Sequence, residues 1–214
     1  GSNDACGIAS LAASQTAFDC TNVGPNTVTL TVTDNNGNVS TCVANVTVQD
    51  NEAPIAACVA SGTQFFLDAN GDLTMTGAMM DAGSSDACGI ASLSASPSSF
   101  TCADIGFQNV TLTVTDVNGN VSTCVSNIEI VDNIAPVITC PADITVNAIV
   151  DNCGRTVTYN FDVVDACATI TQTDGTGLTS GNLFPVGTTV QSYEVTDQTG
   201  TYTCTFNVTV NDVQ

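Results

Sequence analysis

One segment of this chain occurs twice without a gap, and that repetition limits what the chain can fold into. Residues 4–50 and 86–132 align at an offset of 82 and are identical at 30 of 47 positions. The strings DACGIASL, VTLTVTD and NGNVSTCV all recur. Self-similarity at a fixed period predicts an array of similar units in which neighbours stack end to end.

A third and more diverged copy completes the chain. Asp-Ala-Cys returns at 165–167 and CTFNVTVND follows at 204–212, while DNEAP at 50–54 and DNIAP at 132–136 mark the junctions. A proline in each junction restricts the chain to an extended form, and almost no linker separates the copies. The predicted units are 1–50, the C-terminal part of a truncated repeat; 51–132, a complete repeat; and 133–214, a second complete repeat.

Alternating side chains predict an all-β fold for each copy. Val28, Leu30 and Val32 are separated by threonines, and this period of two with β-branched residues is typical of half-buried strands. Asn36-Gly37 between two such runs predicts a hairpin, because both residues tolerate positive φ. Units of about 80 residues with several short strands fit a β-sandwich.

Charge and composition exclude several classes of function. The net charge is −20, with 21 acidic residues against one basic residue, Arg155, and no histidine. Nucleic acid and anionic membranes are therefore not expected as partners, because both are bound through Lys and Arg. Without histidine the usual general acid–base groups are missing, so we expect no enzyme. The sequence has no export signal and no apolar run of about 18 residues, so we expect no membrane insertion of this segment.

Eleven cysteines at wide spacings indicate disulfides formed in an oxidising compartment, because zinc sites and redox motifs need close clusters such as CxxC. The second and third units contain four cysteines each, and four cysteines allow three connectivities that the sequence alone does not distinguish. A recurring spacing of 14 favours local pairs, which leaves one pair between the first and last strands of each complete unit. The expected disulfides are Cys6–Cys20, Cys88–Cys102, Cys153–Cys167, Cys58–Cys124 and Cys140–Cys204, with Cys42 left unpaired by truncation.

Several strings carry a resemblance to known extracellular repeats. DNIAPVITCP (132–141), FPVGTTVQSYEVTDQTG (184–200) and CTFNVTV (204–210) resemble the HYR domain, an immunoglobulin-like module. LDANG, GSSDACGI and VTLTVTDVNGNVSTC resemble the repeats of giant Bacteroidota surface adhesins of the SprB type, which serve gliding motility.

This resemblance implies a fold and a location. It implies tandem immunoglobulin-like (HYR-like) β-sandwich domains, arranged end to end and stapled by disulfides. It further implies type IX secretion, display on the cell surface, and adhesion to an external surface or polysaccharide.

Acidic loops are candidate calcium sites, since calcium prefers hard oxygen ligands. Asp68, Asn70 and Asp72 place oxygens at alternate positions, as in the opening of a calcium loop, although a β-turn at Asn70-Gly71 is the alternative. The hairpin tip Asp116-Asn118 is a similar candidate, and its alternative is an aspartate that caps its own turn.

The junctions supply a third set of candidate ligands. In an immunoglobulin-like topology, Asp50 and Glu52 are expected to approach Asp116 and Asn118 of the next unit. Asp132 is expected to approach Asp197 in the same way. Calcium bound there would stiffen the junctions. Acidic charge that only keeps a long extracellular chain soluble is the alternative.

Two non-catalytic functions remain after these exclusions. The favoured one is a segment of a long secreted adhesin filament, acting as a semi-rigid stalk whose partners are neighbouring repeats of the same chain. The alternative is a carbohydrate-binding module, which needs exposed aromatic platforms. The sequence has no tryptophan, and its three tyrosines, Tyr159, Tyr193 and Tyr202, all lie in the third unit.

Overall fold

The computed structural model describes residues 1–149 and 153–213, and the regular structure in it is almost entirely β, as predicted. The strands are β1 (Ile8–Ala13), β2 (Gly24–Asp34), β3 (Val39–Val48), β4 (Gln64–Phe66), β5 (Asp72–Thr74), β6 (Ile90–Ser96), β7 (Ser99–Thr101), β8 (Gly106–Asp116), β9 (Val121–Val131), β10 (Val137–Thr139), β11 (Ile144–Asn147), β12 (Gly154–Thr156), β13 (Asp162–Val164), β14 (Thr169–Gln172), β15 (Leu183–Pro185), β16 (Gly187–Thr196) and β17 (Thr201–Asn211). Two 3-10 turns, Cys20–Asn22 and Cys102–Asp104, and one α-helical turn, α1 (Gly77–Met80), complete the elements.

The chain divides into two compact units that are interleaved in sequence. The first unit comprises residues 1–58, 80–94 and 112–124, and the second comprises 59–79, 95–111 and 125–214. Both units contain segments from more than one of the predicted sequence copies. The copy boundaries at 50 and 132 therefore stay a prediction from the sequence.

An antiparallel sheet of order β1-β2-β3 forms much of the first unit. The hairpin between β2 and β3 lies where Asn-Gly predicted it: Asp34 N–H donates to Asn38 O at 3.0 Å, and Gly37 has a φ of +89°. The hairpin between β8 and β9 repeats this turn, with the Asp116 N–H to Asn120 O bond at 3.0 Å and a φ of +92° at Gly119. Glycine is required at both tips because a side chain is strained at such a φ.

The same strand sequence is buried in one copy and not in the other. Along β8, Val110, Leu112 and Val114 are fully buried, which confirms the period of two. Along β2, the equivalent Val28, Leu30 and Val32 are only half-buried. The string VTLTVTD, which β2 and β8 share, thus differs in burial between the two strands because the chain around it differs.

Within the second unit, residues 133–213 form a four-stranded sheet of order β11-β17-β16-β14 and two small antiparallel pairs, β10-β13 and β12-β15. The first strand of the large sheet is parallel to the last, since Ile144 pairs with Val208 and Asn147 with Asn211. β4 and β9 pair in the same parallel sense, within a sheet of order β4-β9-β8-β6. The four-stranded sheets formed from residues 51–132 and 133–213 therefore have the same strand order and the same parallel edge pair, despite their diverged sequences.

A compact apolar cluster holds the large sheet of residues 133–213 in place. Phe184, Phe206, Val208 and Val210 are at most 1% exposed, and Tyr193 is 7% exposed. Burial of a side chain of this size stabilises the fold by about 1.5–3 kcal/mol. Among the residues that the structure describes, no helix is both long and apolar enough to cross a membrane.

Candidate functional site: disulfides between copies and the carboxylates beside them

Two disulfides join one sequence copy to the next. Cys20 bonds to Cys88 and Cys102 bonds to Cys167, with Cα–Cα distances of 5.1 and 5.2 Å. In each case the cysteine of a Phe-x-Cys string pairs with the cysteine of Asp-Ala-Cys in the following copy. The repeated sequence thus forms the same cross-link twice.

These bonds correct the local pairs predicted from the spacing of 14, since Cys6–Cys20, Cys88–Cys102 and Cys153–Cys167 do not form. An extended strand lies between Cys88 and Cys102, and the seven residues of β6 alone span about 23 Å. A disulfide requires Cα atoms within about 7 Å. Equal spacing therefore marked equivalent positions in successive copies and not bonded partners.

The two disulfides predicted within the complete copies form as predicted. Cys58–Cys124 and Cys140–Cys204 have Cα–Cα distances of 5.9 and 5.6 Å. Cys42 is free and exposed within the described chain, as expected, and Cys6 and Cys153 are free as well. The explanation that Cys42 is free because its repeat is truncated stays a prediction.

Short capped turns position the cysteines that link the copies. Asp19 and Thr101 cap the 3-10 turns that begin at Cys20 and Cys102. The side chain of each accepts a hydrogen bond from a backbone N–H of the turn, and its own backbone N–H donates to the side chain of Asn22 or Asp104. On the partner side, Cys88 N–H donates to Asp86 Oδ1 and Cys167 N–H donates to Asp165 Oδ1, both at 2.7 Å. Every linking cysteine is therefore held by a hydrogen-bonded turn.

Asp50 meets the hairpin tip that the topology argument assigned to it. Its Oδ2 accepts a hydrogen bond from Asn118 Nδ2 at 2.7 Å, and its backbone oxygen accepts one from Asn120 Nδ2 at 3.3 Å. Among the residues that the structure describes, the Glu52 side chain makes no hydrogen bond to that tip; its backbone N–H donates to Asp50 Oδ1 at 3.1 Å. A direct hydrogen bond connects Asp50 to the hairpin, and a bound metal is not needed for the approach.

The second junction differs from the expected pair of Asp132 and Asp197. The Asp132 N–H donates to Gln198 Oε1 at 2.6 Å, so the neighbour of Asp197 makes the contact. The Asp197 carboxylate instead accepts from Thr199 N–H at 2.8 Å and Gly200 N–H at 2.9 Å within its own turn. The second junction is thus joined by a hydrogen bond to the side-chain amide oxygen of Gln198.

The remaining calcium candidates are aspartates that accept hydrogen bonds from their own turns. Asp68 Oδ1 accepts from the N–H groups of Asn70 and Asp72 at 2.8 and 3.1 Å, which is the turn alternative. Asp116 is 1% exposed and accepts from the Asn118 and Asn120 N–H groups, both at 2.8 Å. Burial alone would raise the pKa of Asp116, but the hydrogen bonds from Asn120 and its neighbours outweigh burial and lower it.

Sequence reasoning missed two carboxylates that the structure brings to the junctions. Asp86 lies within 4.8 Å of Asp50 and Cys88, measured between potential ligand atoms, and Asp165 lies likewise near Asp132 and Cys167. Because Cys88 and Cys167 are in disulfides, neither offers a thiolate. The signal was present in the sequence, since both aspartates open the repeated Asp-Ala-Cys motif.

Two of the three tyrosines, Tyr159 and Tyr193, lie in the apolar core. Tyr193 is buried, and its hydroxyl lies 2.8 Å from that of Tyr159. Tyr159 also donates to Gln191, which is fully buried, and its ring packs edge-on against Phe206 with centroids 4.8 Å apart. Burial and the Tyr193 hydroxyl raise the pKa of Tyr159. These two rings belong to the apolar core and not to an exposed binding face.

Comparison with known families identifies the C-terminal part of the chain. Residues 131–210 match the HYR domain, which confirms the resemblance seen in the third copy. No curated protein matches the chain. Four disulfides in an all-β chain, together with this match to the HYR domain, are typical of an extracellular or secreted protein.

Solved structures similar to this chain include cadherin domains, immunoglobulin domains and an endo-fucoidan hydrolase. Cadherin domains 1–4 of protocadherin gamma B7 are 14% identical, with a TM-score of 0.34, over 91% of this chain and 59% of that chain. Immunoglobulin domains 1–5 of Sidekick-1 are 13% identical, with a TM-score of 0.36, over 90% of this chain and 46% of that chain. An endo-fucoidan hydrolase of glycoside hydrolase family 107 is 17% identical, with a TM-score of 0.30, over 97% of this chain and 39% of that chain. The chain therefore spans less than two thirds of each of these proteins.

Proposed function

We propose that this chain is a repeat segment of a secreted cell-surface adhesin filament and acts as a semi-rigid stalk that transmits tension. The observation that carries this proposal is the pair of disulfides between copies, Cys20–Cys88 and Cys102–Cys167. Adhesion in gliding motility, with an external surface or polysaccharide as partner and type IX secretion as the export route, is the setting that the repeat resemblance supports. In this role the chain has no catalytic function.

The four disulfide loops overlap along the sequence. They span residues 20–88, 58–124, 102–167 and 140–204, so each loop begins inside the one before it. Tension applied to the termini passes from Cys20 directly to Cys88, continues along residues 88–102, and passes directly to Cys167. From Cys167 the shortest route runs back to Cys140 and passes directly to Cys204, so the residues between 20 and 88 and between 102 and 140 are shielded from the pulling force.

Pulling single molecules by their termini tests this path. In the wild type the shortest covalent route from residue 20 to Cys204 has 41 residue steps, 14 between Cys88 and Cys102 and 27 between Cys167 and Cys140. In the double variant Cys20→Ala/Cys88→Ala it has 54 steps, 38 between residue 20 and Cys58 and 16 between Cys124 and Cys140. We expect the unfolded contour length to increase by about 45 Å, at 3.3–3.6 Å per residue.

A matched control comes from the disulfide whose removal leaves the shortest route unchanged. Cys58→Ala/Cys124→Ala opens a loop of 66 residues, close to the 68 of Cys20–Cys88, but lies outside the tension path. Each loss is expected to cost about 4 kcal/mol of stability in the chain-entropy model. We expect the control to unfold more easily without becoming longer. Equal contour lengths for wild type and Cys20→Ala/Cys88→Ala would contradict the stalk mechanism.

A further inference from the structure

One carboxylate of the second junction is buried without full hydrogen bonding. Asp132 is 3% exposed, and its Oδ1 accepts from the Ile134 N–H at 3.1 Å. Its Oδ2 is buried and has no hydrogen-bond partner among residues 1–149 and 153–213. A buried charge without a partner is strongly unfavourable, so this oxygen requires a positive partner.

A second carboxylate lies beside it. Potential ligand atoms of Asp132, Asp165 and Cys167 all lie within 4.8 Å of one another. Cys167 is bonded to Cys102, and a disulfide sulfur is not a ligand for a hard cation. Two adjacent carboxylates repel each other, and a divalent cation between them would relieve both this repulsion and the unpaired oxygen.

We propose that Asp132 and Asp165 bind a hard divalent cation, Ca²⁺ in the first place, at the turn that carries the Cys102–Cys167 disulfide. Calcium takes six to eight oxygen ligands and accepts water among them, so two carboxylates supply only part of its coordination. An affinity in the range of extracellular modules, about 10⁻⁴–10⁻³ M, is expected for such a site.

The equivalent position of the first junction explains why one site is expected and not two. Asp50 and Asp86 have the same arrangement beside Cys88, but Asp50 Oδ2 already accepts a hydrogen bond from Asn118 Nδ2 at 2.7 Å. At the second junction Gln198 presents its oxygen to the Asp132 backbone and gives no proton to the carboxylate. Asp132 therefore carries the unpaired oxygen, and it is the carboxylate that a bound cation would stabilise most.

Calorimetric titration of Ca²⁺ into the chelator-treated full chain tests the proposal. The informative variant is Asp165→Asn, because its amide oxygen can still accept the Cys167 N–H bond at the turn while the charge is lost. The matched control is Asp86→Asn, which makes the same change beside Cys88. We expect one Ca²⁺ per wild-type chain, at least tenfold weaker binding in Asp165→Asn, and unchanged binding in Asp86→Asn.

Several results would overturn the assignment. These are the absence of Ca²⁺ binding by the wild type, full retention of binding by Asp165→Asn, an equal loss in Asp86→Asn, and tighter binding of Mg²⁺ than of Ca²⁺. Mass spectrometry under non-reducing conditions checks that the Cys102–Cys167 disulfide is present in every variant. A loss of binding then reports on the carboxylate and not on a failure to form the junction.

Discussion

Aspartate side chains in this chain act first as hydrogen-bond acceptors within turns. Asp34 shows the pattern: its carboxylate accepts from the Asn36 and Asn38 N–H groups, both at 2.8 Å, and from Asn38 Nδ2 at 2.7 Å. The side-chain bond from Asn38 is the largest contribution to a lowered pKa of Asp34. Acidic residues at alternate positions are therefore explained by turn formation before any metal is considered.

Asp174 provides a test at the residue scale. Burial would raise its pKa, but bonds from Thr176, the Ser192 N–H and Gln172 outweigh burial and lower the pKa from 3.8 to about 2. A folded-state pKa below the unfolded value stabilises the protein above about pH 4, and that stabilisation is lost as the pH falls toward 2. We expect Asp174→Asn to be less stable at neutral pH but to lose less stability between pH 4 and 2, measured by urea unfolding at a series of pH values.

Thr176→Val gives a complementary variant for the same group. It removes the hydroxyl that donates to Asp174 Oδ1 at 2.6 Å, so the folded-state pKa of Asp174 should rise toward its unfolded value. The loss of stability between pH 4 and 2 should then be smaller than in the wild type and should be complete at a higher pH. Parallel pH curves for the wild type and Asp174→Asn would show that Asp174 does not contribute to acid unfolding.

At the scale of elements, Gly71 shows how closely a turn approaches a disulfide. A Cβ added there would lie 2.5 Å from Cys102 Sγ and 2.9 Å from Ala166 Cβ. Its φ of +77° is also in the left-handed region that favours glycine. The turn between β4 and β5 therefore depends on glycine for both its conformation and its packing.

Gly71→Ala and Gly62→Ala separate these two requirements. Gly62 has a similar φ of +83°, but the structure describes no atom near enough to contact an added Cβ. Gly62→Ala should lose only the backbone term of about 1–2 kcal/mol. Gly71→Ala should lose more and should form less of the Cys102–Cys167 disulfide, measured by urea unfolding and non-reducing mass spectrometry. Equal losses would show that the close approach is relaxed at little cost.

At the scale of the whole molecule, the net charge affects stability in a way that no single strand or turn shows. With a net charge of −20 and a single basic residue, the folded chain repels itself more strongly than the expanded chain does. Monovalent salt screens such repulsion within about 10 Å at 0.1 M. We expect Tm to rise with NaCl in the wild type and to the same extent in Asp165→Asn, in thermal scans without divalent ions. A fall in Tm with salt would mean that attractive pairs dominate the electrostatics.

The sequence by itself determined the strands, the hairpins and the disulfides that close within one copy. Alternation in 106–116 predicted a buried strand, and Asn118-Gly119 predicted its turn, because both depend on local backbone preferences and a period of two. Cys58–Cys124 forms as predicted, although it was predicted as the pair that remained after local pairs that do not form. These features are encoded within one copy.

Only the tertiary structure decided which neighbours meet across copies. Cys88 pairs with Cys20 and not with Cys102, because an extended strand separates positions that are close in sequence. Asp132 meets Gln198 and Asp165, although nothing in the spacing of these residues distinguishes them from Asp197. Local preferences are set by a few consecutive residues, whereas a disulfide or a carboxylate pair depends on distances that the whole folded chain determines.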